Sequence, residues 1–216
     1  MSDYIIDVIK VGILETLEMT LVSSILAYII GLPIGILLYA TAKDRVLSNK
    51  PVNFVFGFIV NVGRSLPFLI LLVLLIPVMR FLTGTSIGTT ASIVPLTFGA
   101  APIVARMVES SLSEVSPGII EAATSMGASP LYIIIHFILP EATPSLLLGG
   151  AINIATILGY SAMAGVIGGG GLGAIALQYG YYRYENDVLW TTVTLLIIMV
   201  MLIQGSGNVI AKKARK

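Results

Sequence analysis

Five stretches of this chain are too apolar to rest in water, and they limit the fold before any motif is read. They cover about 17–41, 65–81, 90–110, 144–166 and 188–210. A helix needs roughly 20 mostly apolar residues to cross the hydrocarbon of a bilayer, so each stretch is read as a membrane span. They dominate the composition: 56% of the 216 residues are hydrophobic and 11% are charged, where soluble domains carry about 25% charge. The expected class is all-α integral membrane, in one domain over 1–216. The opening MSDYIIDVIK has no basic n-region and no small-residue cleavage site, so no cleaved leader is expected. Zero cysteines and a single histidine, His136, leave no thiolate or histidine metal centre to expect. A net charge of +1 gives no electrostatic reason to expect nucleic acid as a partner.

The spans are not uniform. The first holds Gly31-Leu32-Pro33-Ile34-Gly35, which predicts a kink. Glu15 and Glu18 at its front edge are expected to face headgroups or water, since burying them in lipid is costly. The second starts near Leu66-Pro67, with Val52–Val62 as an interfacial lead-in and Arg64 near the interface. Pro95, Gly99 and Pro102 predict an irregular third span. On it, Arg106 and Glu109 are three apart and can pair on one helix face.

Between the third and fourth spans lies SPGIIEAATSMGASPLYIIIHFILP, residues 116–140, which reads as ordered but not as a span. Ser116-Pro117 is a helix start, with a capping residue before a first-turn proline. Gly127 sits where a helix end favours a left-handed residue. Ser129-Pro130 repeats the start signal, and Pro140 closes the second helix. Two short helices around a glycine turn are therefore expected, before a fourth span that Thr143-Pro144 opens.

In that fourth span Asn153, Thr156, Tyr160 and Met163 are spaced three, four and three, so they share one helix face. A polar face within a span points to a bundle interior or a wet cavity, and this one is the candidate lining of a pathway. Ala151, Ala155 and Gly159 form a separate small-residue face suited to close helix approach. Gly168–Gly173, GGGGLG, cannot continue a stable helix. No Lys-Ser/Thr follows it, so it is not read as a phosphate cradle. Tyr179, Tyr181, Tyr182, Tyr184 and Trp190 then read as an interfacial aromatic belt.

Five spans put the termini on opposite sides. One side receives Lys43, Arg45, Lys50, the insert and the tail of Lys212, Lys213, Arg215 and Lys216. By the positive-inside rule that side is cytoplasmic, which leaves the N-terminus and the glycine run outside.

The insert carries a recognisable spacing. Glu121-Ala122-Ala123, three residues, Gly127, nine residues, then Phe137-Ile138-Leu139-Pro140 resembles the EAA motif, EAA-x3-G-x9-I-x-LP, of permease subunits of ABC importers. Phe137 stands where an aliphatic residue is usual. Arg64-Ser65-Leu66-Pro67-Phe68, Gly84-Thr85-Ser86-Ile87-Gly88, Ile93-Val94-Pro95-Leu96-Thr97, Ala105-Arg106-Met107-Val108-Glu109, Gly159-Tyr160-Ser161-Ala162-Met163, Gly170-Gly171-Leu172-Gly173 and Gln178-Tyr179-Gly180-Tyr181 narrow the resemblance. Together they are similar to the methionine-import permeases, over nearly the whole chain.

The resemblance implies a type I ABC importer permease fold in a bacterial inner membrane, paired as a homodimer around one pathway. It implies two cytoplasmic ATP-binding subunits, docked through Glu121, Ala122, Ala123, Gly127, Leu139 and Pro140. ATP and Mg2+ would be used by that partner, with no cofactor on the permease and no catalytic site in it. A substrate-binding lipoprotein would deliver methionine, the D-isomer included, on the outer face. Met163, nearest the outer end, is the candidate gate.

Other classes fit less well. A DNA-binding helix-turn-helix would need base-reading side chains, and LYIIIHFIL offers only His136. An intramembrane hydrolase would need a Ser/His or paired-Asp arrangement within the spans, and no aspartate lies in a span interior. A permease for another amino acid or small polar solute remains open. A passive channel is compatible with the spans but would have no use for the insert.

Overall fold

The computed structural model describes residues 3–214, and the ends of the chain, including Arg215 and Lys216 of the basic tail, lie outside the described residues. Those described form helices and connections with no strand. The protein is an all-α integral membrane bundle. Helix α1 runs Asp3–Thr41, α2 Lys50–Ser65, α3 Phe68–Leu74, α4 Ile76–Thr83 and α5 Thr89–Ser113. Helix α6 spans Pro117–Ser125 and α7 Pro130–Ile133, which continues through a π-helical turn, Ile134–Ile138, into α8, Leu139–Ala164. Helix α9, Gly171–Ile175, runs into a second π-helical stretch, Ala176–Tyr181, before α10, Asn186–Ala214. Four of these segments are long and apolar enough to cross a membrane, and the bent pair α2–α3 makes a fifth if it is one broken span.

Glycine sets the close contact between α1 and α5. A Cβ on Gly31 would lie 2.7 Å from the Ala101 carbonyl, and one on Gly35 would lie 2.5 Å from the Ala105 carbonyl. The Ser23 hydroxyl donates to the Ile93 carbonyl at 3.4 Å. These contacts advance together along α1 and α5, so the two helices run side by side in the same direction. In lipid, where burial between helices brings little hydrophobic gain, such backbone approach is what holds a bundle together. The Gly-Leu-Pro-Ile-Gly stretch therefore serves close packing, and α1 stays helical through Pro33. Helix α5 likewise continues through Pro95 and Pro102.

One core joins α1, α3, α5 and α8 through Met19, Leu72, Leu96, Val104 and Ile157, and extends into Val115, Ala123, Ile133, Ile134 and Ile138. The insert is thus built into the same core as the spans. A smaller cluster at the other end gathers Ile5, Ile9, Leu172, Ile175 and Val188.

Four expectations about boundaries change. First, α1 begins at Asp3 rather than near 17 and is about 58 Å long at 1.5 Å per residue. The charges of its first turns hide an apolar side, Ile5 and Ile9, that is buried. Second, the span expected at 65–81 is two helices meeting the chain before them at a sharp break: α2 and α3 cross at 102°. Leu66 and Pro67 are extended between them, because a residue before proline is driven out of the helical region. The expected lead-in is the full helix α2, capped where Val52 N–H donates to Asn49 Oδ1 at 3.2 Å. Arg64 is exposed in its last turn, beside the bend.

Third, Pro140 does not close a helix and Thr143-Pro144 does not open one, since Pro130–Ile167 is a single unbroken segment. The π turn accommodates the proline: Leu139 N–H donates to the Ile134 carbonyl, five residues back, and the Thr143 hydroxyl donates to the Leu139 carbonyl at 2.9 Å. Membrane helices tolerate proline by such adjustments. Fourth, the glycine run ends α8 as expected and is largely buried. It is packed between α1, α5 and α8, and Glu15 turns inward to it rather than outward to water.

Candidate functional site

The insert is a helix, a rigid turn and a helix. At the end of α6, Gly127 N–H donates to the Thr124 carbonyl at 2.9 Å and Ala128 N–H donates to the Ala123 carbonyl at 3.1 Å. This is the Schellman pattern, with Gly127 at φ +81° in its left-handed position. Ser116 and Ser129 stand at the helix starts as expected, but neither hydroxyl makes a capping bond. Ala123 is fully buried on the bundle side, together with Ile133, Ile134 and Ile138. Glu121, Ala122 and Met126 point outward, as do Leu131 and Tyr132 just beyond Gly127. The EAA residues thus divide: Ala123 anchors the insert, while Glu121 and Ala122 offer a surface. Leu139 is half-buried and Pro140 exposed, both within the continuous helix.

The fourth-span face divides as well. Asn153 is only 6% exposed and lies beside a small void lined by Ala100, Ile103, Thr156 and Tyr160. Its amide nitrogen and the Tyr28 hydroxyl are both buried without a hydrogen-bond partner. Thr156 and Tyr160 are half-buried, with the Tyr160 ring stacked on Phe68 at 4.3 Å between centroids. Met163 is 41% exposed, on an open side shared with Ile152 and Val166. The structure therefore brings Asn153, Thr156 and Tyr160 to a seam with α3 and α5, and only Met163 of the four to an open face. Of the small-residue face, Ala151 and Ala155 are buried, with Ala151 against Gly207 of α10, while Gly159 has free space.

Two features connect distant segments. Arg106 and Glu109 pair at 2.6 Å as expected, and Arg106 also donates to Asn61 Oδ1 at 2.6 Å, tying α5 to α2. At the opposite end of the bundle Glu15 Oε2 accepts from Gly171 N–H at 2.6 Å, and Thr16 Oγ1 accepts from Leu172 N–H at 2.9 Å. Sequence reasoning missed this second contact. Its only sequence signal was a carboxylate in an apolar helix and a glycine run whose amides needed acceptors. Among the described residues no group of His, Cys, Asp and Glu is placed to hold a metal.

The model of a family described as "Binding-protein-dependent transport system inner membrane component" matches residues 31–215. The chain belongs to this family. A probable D-methionine transport system permease protein MetI of Vibrio cholerae is 46% identical over 96% of this chain and 92% of its own length. One from Pasteurella multocida is 42% identical over 99% and 98%. A solved structure of the MetNI methionine ABC transporter in an inward-facing conformation superposes with a TM-score of 0.97 at 47% identity, covering 99% of both chains. An amino acid ABC transporter crystallised with histidines superposes at 0.80 with 24% identity, over 96% of this chain and 94% of that one, a likeness of fold. As a member of the transport family, the chain has the permease fold of type I ABC importers.

Proposed function

We propose that this chain is the membrane permease of an ATP-driven importer and that it carries methionine, the D-isomer included, into the cytoplasm by alternating access. The observation that carries the proposal is the insert: a motif surface of Glu121 and Ala122, turned outward on a helix whose other side is fixed in the bundle core through Ala123. A surface held that rigidly transmits a push to α8 without bending. The named relatives and the MetNI transporter supply the cargo class.

In this reading two copies pair around one path, and each docks an ATP-binding subunit against α6. ATP and Mg2+ act in that partner, and this chain contributes no catalytic group. When the ATPase subunits close, the inserts move inward as rigid bodies and the spans rock. Glu121 makes polar contacts at the joint, Gly127 fixes its angle, and Leu139 and Pro140 lie in the continuous helix that carries the motion into α8. Met163 acts as the gate, its flexible thioether filling an irregular gap. Asn153, Thr156 and Tyr160 line the path as the seam opens. A binding lipoprotein docks at the outer end. The membrane is the bacterial inner membrane, with the N-terminus outside and the C-terminus in the cytoplasm.

The test is ATP-driven uptake of labelled methionine in vesicles holding permease, ATPase and binding protein. Strong competition by unlabelled L- and D-methionine, and none by branched-chain amino acids, is the expected result. Equal competition by branched-chain amino acids would assign a broader amino-acid permease. Uptake independent of ATP would assign a passive channel.

A further inference from the structure

Glu15 and Thr16 sit on α1, far in sequence from the glycine run, yet they supply the acceptors for two of its amides. Gly171 and Leu172 open the helical stretch that runs through α9 to Tyr181, and the first amides of a helix have no partner within it. Glu15 takes one at 2.6 Å and Thr16 takes the next at 2.9 Å. Thr16 is itself fixed, since its hydroxyl donates to the Gly12 carbonyl at 2.7 Å. The seat is close on all sides. A Cβ on Gly170 would come within 2.9 Å of Glu15 Oε2, and one on Gly171 within 2.7 Å of Thr16 Oγ1. On the far side the same run presses on the end of α8: Gly173 lies on the backbone of Ala162, and Gly165 lies on Gly173 and Ala174. Met163 stands between those two contact points.

We propose that Glu15 and Thr16 are positioning residues for the outer closure of the pathway. They latch the glycine run in place, and the run holds the end of α8 so that Met163 faces the path. The inference rests on the permease reading and on Met163 as the gate. A carboxylate bound to an amide is stronger than a neutral contact, so Glu15 carries more of the latch than Thr16. Opening the outer gate requires the α8 end and the glycine run to move together away from α1, or the two amides to exchange their acceptors.

The full transporter, with its ATPase subunits, is reconstituted in vesicles preloaded with labelled L-methionine, and efflux without ATP is measured per assembled transporter. Glu15→Ala is expected to raise efflux roughly tenfold, the scale of one lost charge-assisted hydrogen bond, and Thr16→Val about threefold. Glu15→Gln, which keeps an acceptor oxygen but loses the charge, is expected to leak clearly less than Glu15→Ala. Met163→Ala is run beside them. If Met163→Ala leaks while Glu15→Ala and Thr16→Val stay tight, the latch is wrong and the gate stands. If Glu15→Ala leaks while Met163→Ala stays tight, Met163 is not what closes the path and the proposal is overturned in the form stated. A fall in assembled transporter with unchanged efflux per transporter would reduce the contact to a structural one and overturn the proposal, as would a Glu15→Gln variant as leaky as Glu15→Ala.

Discussion

The chain turns on glycine at both ends of the bundle, and the two turns are built in opposite ways. At the insert, Gly127 is alone and open: its φ is +81°, and a side chain there would meet nothing within 4 Å. The turn is made by the backbone of its own neighbours. In the glycine run, Gly169, Gly171 and Gly173 are buried against other segments; the Gly168 and Gly169 amides find acceptors at the end of α8, but those of Gly171 and Leu172 find theirs on α1. The first turn needs glycine for a torsion angle alone, whereas the second needs it for torsion at Gly168, Gly170 and Gly171 and also for space. A local turn of the first kind can move as one piece on the core, whereas a turn of the second kind is held by whatever surrounds it.

Substitutions separate the two most sharply at Gly173. A valine there would run into the backbone of Ala162, which cannot yield as a side-chain end can. Overpacking of this kind costs about 3 kcal/mol. The expected outcome is a large drop in thermal stability in detergent and little assembled transporter. Near-normal yield would mean the glycine run is looser than its packing. Gly127→Val meets no clash, only the left-handed torsion, at roughly 1–2 kcal/mol. The protein should still reach the membrane, but ATP-driven uptake should fall. Gly127→Asn, which tolerates that torsion, should recover it. Normal uptake by the valine variant would break the idea that the angle of this joint matters. The smallest effect belongs to Ser116→Ala and Ser129→Ala. Neither hydroxyl makes a capping bond, so each should change stability by under about 0.5 kcal/mol. A larger loss would show that the local turn depends on its caps after all.

The same contrast explains what is legible in the sequence. The insert is legible because its signals are local: a first-turn proline, a glycine at a helix end, and the spacing of Glu121 to Pro140. The apolar spans are legible because lipid demands length. The features that stay hidden depend on distant partners. Nothing near Glu15 in sequence says that it meets Gly171. Asn153 reads as a pathway residue by periodicity, yet α5 and α1 cover it in the folded chain. The prolines mislead in both directions. Pro67 marks a 102° break where the sequence suggests only a span start. Pro140 looks like a stop, but a π turn two residues earlier absorbs it, and hydropathy carries no trace of such a turn. The Gly31–Gly35 stretch looks like a kink because its true partner, the α5 backbone, is elsewhere in the chain.

In the permease reading, the π turn between α7 and α8 fixes the phase between the insert surface of Glu121 and Ala122 and the α8 face that carries Met163. Each residue added to a helix rotates the remainder of that helix by about 100° and advances it about 1.5 Å. One residue inserted or removed between Gly127 and Pro140 would leave both faces chemically intact and rotate Met163 relative to Glu121. The exposed side chains of this stretch are therefore freer to change than its residue count, because the count works as a gear setting.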